Sequence, residues 1–362
     1  MAYGDYPDLS AVRRVLVAKL RNNGDVLLCS PLFTALKNAM PQARIDAYIF
    51  RDTLPMLEGH PAISGYHCYE RGWKQLGLAQ RVSREIALLR GIRNAGYDMA
   101  INLNDGDRGA LAAWLSGARF RVGWMSPKNQ GRFRARLYTH IVKGPPRPRH
   151  TVELSLDAAR RIGIFPAPGE APLHLHVPNE ASERVAALLA EAGIAAGAFV
   201  LIHPTSRWQF KSWTTGKFAE LMDRIAQGGL PLVISAAPDP GEQAAVAAML
   251  AACSTAKPLS LAGQLTLKEL AALIGASRAL VCVDSVPLHI ASALKKPTVV
   301  LFGPSSEQEW GPWDNPRAEV LTQEYSCRPC GLDGCGGSKV SDCLTTMPVE
   351  RVYSALERVL AG

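Results

Sequence analysis

The chain of 362 residues contains no run approaching the roughly 20 consecutive apolar residues of a membrane-spanning helix, although 48% of it is hydrophobic. It opens without the basic segment and apolar stretch of a secretory signal, so the expected location is cytoplasmic. No Gly-x-Gly-x-x-Gly follows the first strand-like run, which disfavours a nicotinamide-dependent dehydrogenase. No Gly-rich spacing precedes Lys211, so the segment around it is not a Walker loop. Acidic side chains are missing altogether from residues 108–152, where ten Arg and Lys fall, among them Arg121, Arg132 and Arg134. Pro145, Pro146 and Pro148 make part of that stretch an extended loop. Two readings stay open: a solvated basic surface, or a rim that grips an anionic acceptor or the acidic face of a membrane. The stretch has few aromatics for base stacking and no recognised nucleic-acid motif, so nucleic acid is not an expected partner, despite a net charge of +8.

What is present is alternation. Residues 15–20, 45–50, 99–103 and 120–123 read as strands, with helical patterns near 32–40, 82–95 and 110–116. A cleaner series follows the Pro-rich loop 166–178: strands at 199–203, 231–235, 259–261, 279–283 and 298–302, separated by helical stretches at 214–226, 243–252, 267–276 and 288–294. Strand–helix alternation predicts parallel sheets, and the length suits two domains. The expected architecture is α/β, with two Rossmann-like doubly wound domains, 1–175 and 176–345, facing a central cleft. A final amphipathic helix within 346–362 is expected to pack back on the N-terminal domain.

Polar residues stand where strands end. After the first strand comes Lys19-Leu20-Arg21-Asn22-Asn23-Gly24-Asp25, a strand, a Gly turn and a helix start, with the Asp25 carboxylate at the turn. Open α/β sheets bind ligands at such carboxyl ends, so Asp25 is the first candidate for chemistry. In the second half, His203-Pro204-Thr205-Ser206 leads through Lys211 to a helix start. Hydroxyls, N–H groups and a Lys at a helix N-terminus suit a phosphate, although Thr205 and Ser206 also suit simple capping. Asp284 and Ser285 again follow a strand, and His289 lies one helical turn after Ser285.

On these segments, together with 296–304, the chain resembles the bacterial lipopolysaccharide heptosyltransferases, inverting enzymes of the two-Rossmann-domain GT-B type that use ADP-heptose. Its Cys-rich tail, 327–338, looks most like the branch called heptosyltransferase III, which adds the side-branch heptose of the inner core. The resemblance implies that Asp25 is the general base, with Arg21, Asn22, Arg121, Arg132 and Arg134 toward the acceptor. It implies donor contacts from Thr205, Ser206 and Lys211 to the diphosphate and from Leu265 to adenine, with Asp284, Ser285 and His289 along the ribose, phosphate and sugar. Asp239 is a further candidate for the ribose. The implied partners are ADP-heptose and a lipid-anchored lipopolysaccharide acceptor, reached by peripheral contact with the inner membrane. No cofactor is required for catalysis on this reading, and no Asp-x-Asp pair is placed for a donor-bound cation. The competing readings are heptosyltransferase I or II, a nucleotide-sugar epimerase or hydrolase on the same fold, and a non-catalytic module binding nucleotide or lipopolysaccharide.

Four of the eight cysteines, Cys29, Cys68, Cys253 and Cys282, lie in apolar surroundings and read as core thiols. Cys327, Cys330, Cys335 and Cys343 cluster near the C-terminus and begin with Cys-x-x-Cys. That set fits a tetrahedral structural zinc; reduced thiols and disulfides are the alternatives.

Overall fold

In the computed structural model, residues 5–125, 135–145, 147–167 and 169–361 are described. The chain divides into two units, Met1–His176 and Val177–Gly362. The first holds a six-stranded parallel sheet of β1 (Arg14–Lys19), β2 (Arg44–Phe50), β3 (Gly65–Tyr69), β4 (Met99–Asn102), β5 (Phe120–Met125) and β6 (His140–Lys143). Its spatial order is β3-β2-β1-β4-β5-β6. The second holds β7 (Val200–His203), β8 (Leu232–Ile234), β9 (Leu259–Ser260), β10 (Ala279–Val283), β11 (Thr298–Leu301) and β12 (Ala318–Leu321), ordered β12-β11-β10-β7-β8-β9. Numbered from the first strand of each unit, both orders are 3-2-1-4-5-6, the dinucleotide-fold order whose direction reverses beside the first strand. Each unit therefore has one switch point, between β1 and β4 in the first and between β7 and β10 in the second.

The central strands are apolar from end to end because helices cover both faces of a parallel sheet. Val15, Leu16 and Val17 in β1, and Leu280, Val281 and Val283 in β10, are essentially inaccessible to water. In the first unit, helices α1 (Asn23–Leu27) and α2 (Ser30–Ala39) follow β1, and α3 (Leu78–Asn94) and α4 (Asp107–Leu115) pack beside each other. The helix Leu267–Ala276 opens with a capping box, in which Thr266 accepts from the Glu269 N–H and Glu269 accepts from the Thr266 N–H.

The final helix, Val349–Ala361, corrects one expectation. Its buried residues Val349, Val352, Ala355 and Leu356 belong to the core of the C-terminal unit, against β10, β11 and the helix Thr215–Gln227. The approach to it is fixed there too, by Trp213 Nε1 donating to the Met347 carbonyl at 3.2 Å and Lys217 Nζ to the same carbonyl at 2.8 Å. The amphipathic pattern was legible, whereas the sheet it covers was not. No helix among the described residues is long and apolar enough to cross a membrane.

Candidate active site

At the first switch point β1 runs out at Lys19, and the chain turns through Leu20, Arg21 and Asn22 into α1. Asn104, which follows β4, holds that turn: its Oδ1 accepts the Leu20 N–H at 2.9 Å and its Nδ2 donates to the Ala18 carbonyl at 3.0 Å. Asn102 fixes Asn104 in turn, accepting its amide N–H at 2.9 Å, and donates to Tyr138 Oη at 2.7 Å. From the outer side Arg71 donates to the Arg21 carbonyl at 3.0 Å, pairs with Asp52 at 2.7 Å and lies 4.2 Å from the centre of the Phe50 ring. The turn is therefore clamped by side chains from β4 and from the segment after β3.

Asp25 lies inside α1, in its first helical turn, rather than at the preceding Gly turn. It is half-buried and makes no hydrogen bond or ion pair with a described residue. The first turn of a helix favours a carboxylate, because the unpaired N–H groups there carry positive partial charge. Cys29 sits in the electrostatic field of both Lys19 and Asp25, but burial pushes its thiol up to about 12, so it is a protonated core group and not a nucleophile. Arg21 and Asn22 are exposed at the same turn. Arg121 is held locally, Nε donating to the Leu137 carbonyl at 2.7 Å and Nη1 to the Ala118 carbonyl at 2.8 Å. Arg132 and Arg134 lie outside the described residues.

The second switch point is built around an ion pair. Lys211 closes the short 3-10 turn Gln209–Lys211 after β7, and Asp284 is the first residue beyond β10. Their side chains meet across the strand boundary, Lys211 Nζ to Asp284 Oδ2 at 2.6 Å, with 19% and 5% of the side-chain surfaces exposed. Ser305, after β11, donates to the same Oδ2 at 2.5 Å. A buried carboxylate with a cation and a hydroxyl is satisfied and holds the ammonium in one place. Ser285 stands at the N-cap position of the helix Val286–Ala293 with its hydroxyl donating back to the Val283 carbonyl at 3.3 Å, and His289 is buried one turn further on.

Thr205 is buried, and its hydroxyl donates to Glu242 Oε2 at 2.6 Å, so its proton is committed to a carboxylate in this state. Ser206 accepts the Trp208 N–H at 3.3 Å. Asp239 is the N-cap of the helix Pro240–Ala252, its Oδ1 accepting from Gly241 N at 2.9 Å and Glu242 N at 3.1 Å. That cap orients Glu242 toward Thr205. Leu265 is half-buried in the loop after β9. At the end of β7, burial holds His203 neutral, down to about 4, with Nδ1 at 2.9 Å from the Ser235 hydroxyl.

The C-terminal cysteines do not form a ready metal cage: among the described residues no three His, Cys, Asp or Glu are gathered to hold an ion. All eight thiols are free; Cys327 and Cys335 are exposed, Cys330 is half-buried and Cys343 is buried. The expected zinc tetrahedron is thus not formed by these side chains as placed. The segment is shaped instead by backbone bonds, Cys335 N to the Val340 carbonyl at 2.7 Å and Lys339 N to the Asp333 carbonyl at 3.1 Å.

Four residues around the two switch points, Arg71, Asn104, Glu242 and Ser305, belong to no recognisable motif. Asn104 and Ser305 do share one legible trait, a polar residue just beyond a strand end.

Two parallel sheets of identical order, each with its polar residues at the switch point, define the GT-B class of glycosyltransferases. The chain belongs to glycosyltransferase family 9 (heptosyltransferase), whose family model matches residues 86–339. It is 29% identical to lipopolysaccharide heptosyltransferase 3 of Escherichia coli over 94% of this chain and 97% of that one. Among solved structures it resembles a family 9 glycosyl transferase from Veillonella parvula, with a TM-score of 0.83, 22% identity and coverage of 98% and 99%. It also resembles the E. coli ADP-heptose lipopolysaccharide heptosyltransferase II, with a TM-score of 0.75, 22% identity and coverage of 96% and 98%.

Proposed function

We propose that the protein transfers heptose from ADP-heptose to the inner core of lipopolysaccharide with inversion, as the enzyme that adds the side-branch heptose. The observation that carries this reading is the buried Lys211–Asp284–Ser305 group at the second switch point, a fixed cation where an open α/β sheet receives a phosphorylated ligand. The relatives support the substrates: one bears the name of the third lipopolysaccharide heptosyltransferase, and one solved neighbour is described by its ADP-heptose donor.

In the proposed reaction Lys211, with Ser206 and the Thr205 loop, holds the diphosphate and offsets the charge that grows on departing ADP. Asp284 is the positioning residue that fixes the ammonium. Ser285 and His289 border the sugar and ribose, and Leu265 the adenine. Asp239 spends only Oδ1 on its helix cap, which leaves Oδ2 for a ribose hydroxyl. Asp25 takes the proton of the acceptor hydroxyl as that oxygen bonds to the anomeric carbon. The bond from that carbon to the phosphate oxygen breaks at the same time, and ADP leaves with the electron pair. Contact with an anionic inner membrane, on its cytoplasmic face, supplies the lipid-anchored acceptor. Structural zinc on Cys327, Cys330, Cys335 and Cys343 requires those side chains to re-orient, and metal analysis of protein purified without chelator decides it.

The test is Asp25→Asn, assayed with ADP-heptose and inner-core acceptor. Removing a general base lowers turnover by about 10²–10⁴-fold. ADP binding should stay within about threefold, because Asp25 does not contact the donor on this reading. Turnover close to wild type would remove Asp25 from the chemistry, and donor consumption at the same rate without acceptor would favour an epimerase or hydrolase.

A further inference from the structure

Helix α3 is unusual for a helix beside a parallel sheet, because in its 17 residues only Ile92 is fully buried. Leu78, Val82 and Ile86 are 77%, 45% and 42% exposed. At 3.6 residues per turn these positions fall within an arc of about 80°, so they form one apolar stripe along the helix. The neighbouring α4 adds Leu111 and Trp114, 43% and 51% exposed. Between the helices a pocket of about 340 Å³ is lined by Leu88, Leu89 and Leu111 and by the charged side chains of Glu85, Asp107 and Arg108.

Basic side chains outnumber acidic ones around the stripe, Glu85 being the acid of α3 and Asp107 that of α4. Arg81, Arg84, Arg90 and Arg93 lie on α3, whose one acid, Glu85, is occupied by Arg81 and Arg108 at 3.3 Å each and by the Tyr69 hydroxyl at 3.0 Å. Arg108 is also stacked 4.0 Å from the centre of the Tyr69 ring. A soluble helix does not gain by exposing Leu, Val and Ile in register, and an acidic protein partner would satisfy the arginines without needing the stripe. Apolar residues flanked by arginines, with a half-exposed Trp beside them, match the interfacial zone of an anionic bilayer: apolar side chains enter the acyl boundary while guanidiniums meet phosphates.

We infer that the α3–α4 face docks the protein on an anionic phospholipid surface, with α3 lying in the plane of the interface. This rests on the proposed lipid-anchored acceptor and locates the surface by which the enzyme reaches it.

The experiment is co-sedimentation of the full chain with vesicles of phosphatidylcholine alone or containing phosphatidylglycerol, in low and high salt, without acceptor or donor. Wild type should bind the anionic vesicles at least tenfold more strongly than the neutral ones and lose that preference in high salt. The variant Leu78→Ser/Val82→Ser/Ile86→Ser should bind anionic vesicles at least tenfold more weakly. It should keep its thermal transition, because these side chains are already exposed, and its transfer to a delipidated acceptor in solution. Arg90→Glu/Arg93→Glu, at the two arginines nearest the stripe on the helix, should abolish the preference for anionic lipid. Equal binding to both lipids, or undiminished binding by the Ser variant, overturns the inference. So does a wild-type dimer in light scattering that the Ser variant converts to monomer, since the stripe then joins two copies of the chain. Vesicle binding without transfer refutes the proposed function alone, and transfer without vesicle binding refutes the docking surface alone.

Discussion

Removing Lys211 leaves Asp284 as a carboxylate 5% exposed with, among the described residues, only the Ser305 hydroxyl bonded to it. At the observed 2.6 Å the gross attraction between the two charges is about 6 kcal/mol at an effective dielectric constant of about 20. Most of that offsets the cost of taking both ions out of water, so the pair adds little over an apolar replacement. Breaking it from one side is different: the orphaned charge stays buried, at a cost of about 3–5 kcal/mol. Lys211 keeps 19% of its side-chain surface in contact with water, which argues for the lower end. Lys211→Met and Asp284→Asn should therefore each destabilise the C-terminal unit by about 3 kcal/mol. The double variant should recover about 2 kcal/mol or more of the sum, because it leaves no unpaired ion. Urea unfolding of wild type and the three variants reads this cycle, with the transition of the C-terminal unit fitted by itself. Calorimetric titration with ADP adds a functional axis: Lys211→Met should weaken binding by about 10–100-fold, the loss of a charge-assisted contact to phosphate. Additive stabilities would show that the ion pair is not coupled, and unchanged ADP affinity would remove Lys211 from the donor site.

Arg71→Ala releases the turn before α1 without touching a core residue, so turnover should fall by about 10-fold through misplacement of Asp25 while stability changes by less than about 1 kcal/mol; steady-state kinetics and thermal melting check the two together. His203 lowers stability in acid. Its native value is down from 6.5 to about 4, so between those limits the unfolded chain binds a proton that the native one does not. That contribution is complete above pH ~6.5 and disappears as the pH falls toward ~4, amounting to about 3 kcal/mol. Urea midpoints across that range should slope less in His203→Asn, and parallel slopes would count against a buried neutral imidazole. Under native conditions a thiol reagent should modify Cys327 and Cys335 quickly and leave buried Cys29, Cys282 and Cys343 for the unfolded protein. Slow reaction of all four C-terminal thiols would instead indicate that a ligand such as zinc covers them.

Why some elements were legible and others not has a physical pattern. The strands found from sequence include every interior strand of both sheets, because burial on two faces demands an unbroken apolar run. The three that escaped, β3, β6 and β12, are all outermost in their sheets, and His140–Lys143 or Ala318–Leu321 carries polar residues on its exposed side. Site residues divide similarly. Asp25, Lys211 and Asp284 stand beside strand ends and helix starts, where the local pattern marks them. Their supports do not: Asn104 acts on a residue 84 positions away, Arg71 on one 50 away, Glu242 on one 37 away and Ser305 on one 21 away. Only topology brings such pairs together, and β-strand order is what a single sequence states least.

The two units share one strand order without a detectable repeat in sequence, and that sets a limit on how much of the function topology explains. Both switch points offer the same geometry: the end of a first strand, the end of a fourth, and a helix start between them. Their chemistry diverges. Beyond β1 the amides of Asn102 and Asn104 hold the chain, and Asp25 is left with no hydrogen-bond or ion-pair partner among the described residues. Beyond β7 the carboxylate is consumed in fixing a cation, with a hydroxyl to complete its bonding. A proton acceptor must keep lone pairs unspent, and a diphosphate site must present positive charge that has already paid its desolvation. One fold used twice thus supplies opposite electrostatics. On the proposed function the base then belongs to the first unit and the donor to the second, and exchanging those states, as Lys211→Met does at one end, should damage donor binding before it touches the base.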